Sequence, residues 1–322
     1  MRRMDDPLRD RIERYYATVP LLFSDVEDHG PLRLFVRKEP GAPYYGGPGH
    51  ARPTARGTGR VGAADIARVR ARQRELGVPE AFEWLAESAP ALRAGVEAAG
   101  LRVLRRPLMV LPAHHGVPAQ PLPDGVTLRT LTADDPALPA ALAVPRLAFT
   151  DAPTAGPTGN PGNEAPAGLM GSPADEAPPA ASGERAEAPP AASEERAESV
   201  RLATVAAELT RDGTVDAVRP TLRAGHKTLV AAFAPDGTPL ATGHYHPAVA
   251  TTEIGGIGTL PSARRRGLAA AVTAALVTHA RAHGIETIFL AYARESVARG
   301  YARLGFRPAG TTLLIAGQPA RS

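Results

Sequence analysis

Apolar and polar positions alternate along this chain with two periods, one of two residues and one near 3.6, and the expected elements follow from where each period holds. In the first 120 residues, helical spacing covers Arg9 to Tyr16, and Leu32 to Val36 alternates as a strand does. A Gly/Pro-rich loop, Glu39 to Gly62, leads into an amphipathic helix from Ala63 to Leu76, with Ile66, Val69 and Gln73 on one face and Gly77 as its stop. A strand through Ala81 to Leu85, a helix from Pro90 to Ala99 and a long strand from Leu101 to Leu111 complete this run. Four prolines between Pro112 and Pro123 mark a boundary.

Beyond it, Gly125 to Arg129 reads as a strand, and Asp134-Asp135-Pro136 caps a helix reaching Phe149. Helical spacing returns from Val200 to Leu222. Lys227 to Phe233 and Pro239 to His246 form a hairpin around Pro235-Asp236-Gly237. Thr252 to Leu260 is a strand ended by Pro261, and the next helix sets Leu268, Val272, Ala275 and Leu276 on one face before Gly284 stops it. Thr287 to Tyr292, a helix with Val297, Tyr301 and Leu304 on one face, and a strand from Phe306 to Ala316 close the chain. The order predicts an α/β protein with a mixed (α+β) sheet. A smaller α/β domain spans residues 1–120, and the second domain spans 121–150 and 200–322.

Asp151 to Ser199 differs in composition. Of its 49 residues 28 are Ala, Pro or Gly, and an eleven-residue near-repeat runs from Glu176 to Ala186 and again from Glu187 to Ala197. Such a stretch buries too little apolar surface to offset its ordering entropy, so a disordered insertion is expected over 151–199. Its nine acidic residues and two arginines give a net charge of −7, which leaves +11 for the rest of a chain of net charge +4. No run of 18 apolar residues is present, and the absence of cysteine excludes disulfides, thiolate metal sites and a cysteine nucleophile. A cytoplasmic location and no membrane partner are expected. Almost all the positive charge is arginine, with Lys38 and Lys227 the two lysines, and without lysine clusters or interleaved aromatics nucleic acid is not the expected partner. His114-His115 invites a metal reading, but adjacent histidines point apart and no carboxylate stands at ligand spacing, so a solvated linker and no metal are expected.

The candidate chemistry gathers between Thr252 and Ala282. Three glycines in one strand, Gly255, Gly256 and Gly258, ask for a bulge or a closely approaching ligand. After Pro261 come Arg264-Arg265-Arg266 and then Gly267-Leu268-Ala269, which open a helix. Unpaired N–H groups and the positive dipole end at a helix start favour an anion, and the arginines add charge. Neither a phosphate loop of Gly-Lys-Ser/Thr type nor G-x-G-x-x-G is present.

Arg264-x-x-Gly267-x-Ala269 after a strand and Pro261 resembles the acyl-coenzyme A signature of the GNAT N-acetyltransferases, Arg/Gln-x-x-Gly-x-Gly/Ala. Tyr301-Ala-Arg-Leu-Gly305-Phe306 resembles that family's Leu-Tyr-x-x-x-Gly-Phe segment. The resemblance runs from about Gly125 to Ser322, broken by the insertion, and the first 120 residues resemble a degenerate GNAT half-domain. It implies the GNAT acyl-CoA N-acyltransferase fold, with acetyl-CoA as co-substrate held along Ile257, Gly258 and Thr259 and by the turn of Arg264, Arg265, Arg266, Gly267, Leu268 and Ala269. In this first half, Arg56 to Gly62 stands where that turn would be and lacks a clean match.

Acyl transfer to an amine needs a base for the ammonium and a proton for the leaving thiolate. Glu253, eleven residues before Arg264, stands at the offset where a branch of the family carries a strand glutamate as base; an ordinary strand carboxylate is the alternative. His244 and His246 share one face of the neighbouring strand and could relay protons instead. Tyr301 is the candidate acid, or else a core aromatic between Val297 and Leu304. Gly300 replaces the leucine usual before that tyrosine, and Arg294 stands where an asparagine is common. The expected function is N-acetyl transfer from acetyl-CoA to a small-molecule or peptide amine, by a monomer or a homodimer. A non-catalytic acyl-CoA sensor is the reading from another class.

Overall fold

The structure is a computed structural model that describes residues 4–38, 47–54, 61–113, 115–118, 120–150 and 191–315. The elements, in chain order, are α1 (Asp6–Thr18), β1 (Ser24–His29), β2 (Leu32–Arg37), β3 (Gly49–Pro53), α2 (Ala63–Glu75), β4 (Glu83–Leu85), α3 (Leu92–Ala98) and β5 (Val103–Leu111). Then follow β6 (Thr127–Thr130), α4 (Leu138–Thr150), α5 (Ala191–Arg211), α6 (Thr214–Arg223), β7 (Thr228–Phe233), β8 (Pro239–Ala248) and β9 (Thr251–Thr259). The last are α7 (Leu268–Ala282), β10 (Thr287–Ala291), α8 (Glu295–Arg303) and β11 (Arg307–Ile315).

The fold is mixed α/β, as expected, with a small antiparallel sheet β1-β2-β3 and a large one ordered β4-β11-β5-β10-β9-β8-β7-β6. Strands β4 and β5, from the first 120 residues, belong to the large sheet. β5 lies between β10 and β11, pairing Ile288 with Leu111 on one edge and Ile315 with Val103 on the other. Among the described residues the one parallel neighbour pair in the large sheet is β9 with β10, and α7 connects the two. Their pairing covers three positions, from Thr287 with Thr251 to Phe289 with Glu253. Past Glu253 the two strands part, and the sheet opens into a cleft.

Helix α1 explains itself locally. Asp5 accepts the Leu8 N–H at 2.8 Å as N-cap, Pro7 stands in the first turn, and Leu8, Ile12, Tyr15 and Tyr16 form one buried face. That face packs on the large sheet, where the Phe289 ring meets Tyr15 and Tyr16 edge-on at 5.4 and 5.5 Å. Tyr15 also donates to the His246 carbonyl at 2.9 Å. The small sheet packs against α2, and Trp84 and Phe82 join their core.

Two expectations are corrected. The loop expected from Glu39 to Gly62 contains β3, which pairs with β2 from Gly49 to Pro53 and places His50 and Arg52 inside. Side chains rather than composition decided this: Phe35 stacks on His50 at 5.1 Å, and Arg52 lies over the Tyr16 ring at 4.1 Å and pairs with Glu83. The insertion expected to be disordered to Ser199 ends earlier, because residues 191–199 are the first turns of α5. Ala, Glu and Arg there are good helix formers, and Glu198 is buried, accepting hydrogen bonds from the Ser262 hydroxyl and N–H. The rest of that stretch, 151–190, and the Arg56–Arg60 part of the glycine turn lie outside the described residues, as does His114.

Candidate active site

Two of the three glycines of β9, Gly256 and Gly258, have a physical reason. Gly256 has φ +62°, and the β8–β9 register shifts between Thr242 and His244, so β9 bulges there. A side chain at Gly256 would strike the His244 ring, which lies 2.4 Å from the place a Cβ would take. At Gly258 a Cβ would stand 3.0 Å from the Pro145 backbone and 3.2 Å from Ala148, so α4 can close onto this strand. The strand thus keeps one edge unpaired and its surface low.

Past β9 the chain turns through Pro261–Ala263, and Arg265 takes a left-handed φ of +64°. Gly267, at φ +80°, is the N-cap of α7 and supplies no side-chain acceptor to the first helical N–H groups. Arg264 donates from Nη2 to the Ala148 carbonyl at 2.9 Å, which ties the turn to the end of α4. Under the turn, Leu268, Val272 and Leu276 bury one face of α7 against the sheet.

A cavity of about 540 Å³ occupies the cleft. Its walls come from β9 (Ile257, Gly258, Thr259), the turn and start of α7 (Arg264, Arg265, Gly267, Leu268, Ala269), the end of α4 (Ala148, Phe149) and α8 (Val297, Gly300, Tyr301, Leu304). Eight of the nine residues expected to hold the co-substrate therefore meet on one cavity. Arg266 is exposed in the same turn and does not line it. Gly300 leaves open space where a leucine is usual in the resembling segment. The size suits a ligand of cofactor dimensions, and the apolar walls end at one strongly basic turn.

Tyr301 lines the same cavity, half-buried, with its ring 6.1 Å from Phe306. Burial pushes its phenol up to about 12, so it is protonated at neutral pH, though a weaker acid than a free tyrosine. Glu253 lies elsewhere. It is the last β9 residue paired to β10, at the vertex of the cleft, and it is buried and absent from the cavity wall. Tyr15 and Tyr16 of α1 stand close enough for its charge to help raise their phenol pKa values, after burial itself.

His244 and His246 share the face of Glu253, since His246 is its direct β8 partner. Their rings are 5.3 Å apart. His246 donates from Nδ1 to the His226 carbonyl at 2.8 Å, and burial holds its imidazole neutral, down to about 3. Burial, then Lys227, then His246 push His244 well below the usual histidine range. Lys227, 4% exposed, is itself pushed down to about 8 by burial. Sequence reasoning had no role for Lys227, although a lysine directly before a mostly apolar strand in a chain with two lysines was a signal. Among the described residues no group of three metal-ligating side chains occurs, and no helix is long and apolar enough to cross a membrane.

The described residues thus form a splayed mixed sheet with an open-capped helix at the mouth of the splay. Residues 197–306 match the acetyltransferase (GNAT) family, and this stretch is a GNAT acetyltransferase domain. The whole described fold is similar to a GCN5-related N-acetyltransferase from Kribbella flavida, at 18% identity and TM-score 0.62, covering 97% of this chain and 96% of that one. A GCN5-related N-acetyltransferase from Sphaerobacter thermophilus matches at 17% identity and TM-score 0.52, over 88% of this chain and 76% of that one. A tandem GNAT protein from the clavulanic acid biosynthesis pathway matches at 18% identity and TM-score 0.50, over 90% and 79%. These likenesses carry the fold. No curated protein sequence matches the chain.

Proposed function

We propose that the protein is an N-acetyltransferase that moves the acetyl group of acetyl-CoA to the amine of a small molecule or peptide. The observation that supports this most is the single cavity that joins the bulged strand, the uncapped α7 turn and Tyr301. In this reading the N–H groups after Gly267, with Arg264 and Arg265 beside them, hold the pyrophosphate. The unpaired edge at Ile257, Gly258 and Thr259 takes the pantetheine arm. When bound, acetyl-CoA supplies the activated acyl carbon, and this chain orients it and manages the protons. Tyr301 gives its proton to the sulfur. Glu253 and His244, on one face of the sheet, are the competing bases.

Amine partners, no nucleic acid, no membrane, a cytoplasmic setting and self-association as a homodimer complete the proposal. The division into residues 1–120, the GNAT domain and the insertion is carried with it, the first part being a degenerate copy that lends β4 and β5 to the large sheet. The burial of Glu253 beneath α1 favours a second reading, an acyl-CoA sensor without turnover. Release of free thiol from acetyl-CoA in the presence of an amine panel separates the two. Thiol release that depends on the amine supports the transferase, and binding without release supports the sensor.

A further inference from the structure

A second, smaller cavity lies under α4, walled by Ala141, Pro145 and Arg146 of that helix, Thr214 at the start of α6, Lys227 and His244. Its volume is about 30 Å³, room for one or two water molecules or a single monatomic ion, and too little for phosphate or a carboxylic acid. Lys227 stands directly before β7 and is 4% exposed. Its ammonium has neither a hydrogen-bond partner nor a carboxylate beside it among the described residues, and burial alone moves its pKa, to about 8. At neutral pH it therefore still carries its charge inside the protein.

The other polar groups of the wall do not balance that charge. His244 is held neutral by burial and by Lys227 itself. Arg146, one third exposed, adds a positive charge and has Asp212 at 3.9 Å. Asp212 is half exposed, lies outside the cavity wall and also accepts the Thr214 N–H at 2.9 Å. The start of α6 is thus served by a carboxylate, and Lys227 is not.

An uncompensated buried charge is costly, and a protein relieves it by losing the charge or by pairing it. Loss of the proton is incomplete at neutral pH, because the ammonium titrates above it. Water filling the cavity would solvate the ammonium and leave its charge unbalanced. A small anion does both.

We propose that the cavity is a halide site, in which one chloride ion sits against Lys227 Nζ and the His244 imidazole beneath α4. The site stands whether or not the larger cavity binds acyl-CoA. Its position gives it a structural consequence for that cavity. Pro145, which lines the small cavity, has its backbone 3.0 Å from the place a Cβ would take on Gly258. One turn further on, the Ala148 carbonyl accepts from Arg264. An ion beneath Pro145 therefore braces the helix that walls the cleft.

The full chain, dialysed into sodium gluconate at pH 7, is melted with sodium chloride, sodium bromide or more gluconate at constant ionic strength. Chloride and bromide should each raise the melting temperature by roughly 2–4 °C once several-fold above their dissociation constants, and gluconate, too large to enter, should not. Lys227→Met should fold, be the more stable protein without halide, and lose the halide-dependent rise, so that halide narrows the gap between the two. A crystal grown in bromide should show one anomalous peak in the cavity, within hydrogen-bonding distance of Lys227 Nζ. A halide response shared by Lys227→Met, no response in the wild type, or a cavity that is dry or holds only water in bromide overturns the proposal. Bromide density without a shift in solution is binding at crystal concentration only and overturns it as well.

Discussion

The two ends of β9 contrast sharply. From Thr251 to Glu253 the strand is flanked by β8 and β10, buried, and faced by the aromatic residues of α1. From Gly256 to Thr259 it has lost β10, bulges, and carries glycines that let α4 and a cavity approach. One end holds the sheet together and the other leaves backbone groups available. The lesson is that a titratable side chain on the right strand is not thereby in the site: Glu253 lies at the closed end, and neither it nor His244 of the neighbouring strand lines the cavity.

The largest expected effect lies at the open end. Gly267→Glu forces a side chain into a left-handed φ of +80° and sets a carboxylate where the anion should bind. Losing even two charge-assisted hydrogen bonds, roughly 1.5–3 kcal/mol each, should weaken acetyl-CoA binding at least about 10²-fold by calorimetry. Unchanged affinity would remove the turn from the site. Tyr301→Phe should keep binding and the packing against Phe306 but lower turnover by about 10²-fold. Equal rates would leave Tyr301 a packing residue.

The contrast itself breaks or holds on Glu253→Gln. If the closed end takes no proton, turnover should stay within several-fold of the wild type, where a base would cost roughly 10²–10⁴. A loss of that size would return the base to Glu253 and place the acceptor beneath α1.

Lys227 gives a smaller, pH-dependent effect. With its folded value pushed down to about 8 from 10.5, the unfolded chain holds a proton in this window that the folded chain has lost. Stability should therefore rise with pH from about 8 to 10.5 through this group. Lys227→Met should remove that rise and be the more stable protein at neutral pH in chemical denaturation. Parallel pH profiles for the two proteins would show that Lys227 is solvated. Least affected should be a chain whose residues 151–190 are replaced by a short Gly/Ser linker, because loop-closure entropy changes slowly with length. A large drop in melting temperature would contradict the composition argument.

Much of this was legible in the residues. Local periodicity marked most helices of the described chain, though it read α5 and α6 as one stretch, and the spacing of Arg264, Gly267 and Tyr301 brought together residues that do meet on one cavity. What escaped depends on partners far away in sequence. That β5 inserts between β10 and β11 is a pairing over almost 200 residues, with no local trace in Leu101 to Leu111. β3 was hidden because glycine and proline at its ends outweighed His50 and Arg52, whose burial is decided by Phe35, Tyr16 and Glu83. The start of α5 was lost in an average over the insertion, although Glu198 is fixed by Ser262 across the fold. The Lys227–His244 cavity needed Pro145 of α4 to be seen against β8, which no spacing reveals.

The most direct test of the whole account is thiol release from acetyl-CoA, followed against a panel of small-molecule and peptide amines and confirmed by mass spectrometry of the acetylated product. The account predicts that thiol and acetylated amine appear together, that they require the amine, and that both fall in Tyr301→Phe while acetyl-CoA still binds. Binding of acetyl-CoA with no amine-dependent thiol for any acceptor would contradict it and make the cleft a sensor's pocket.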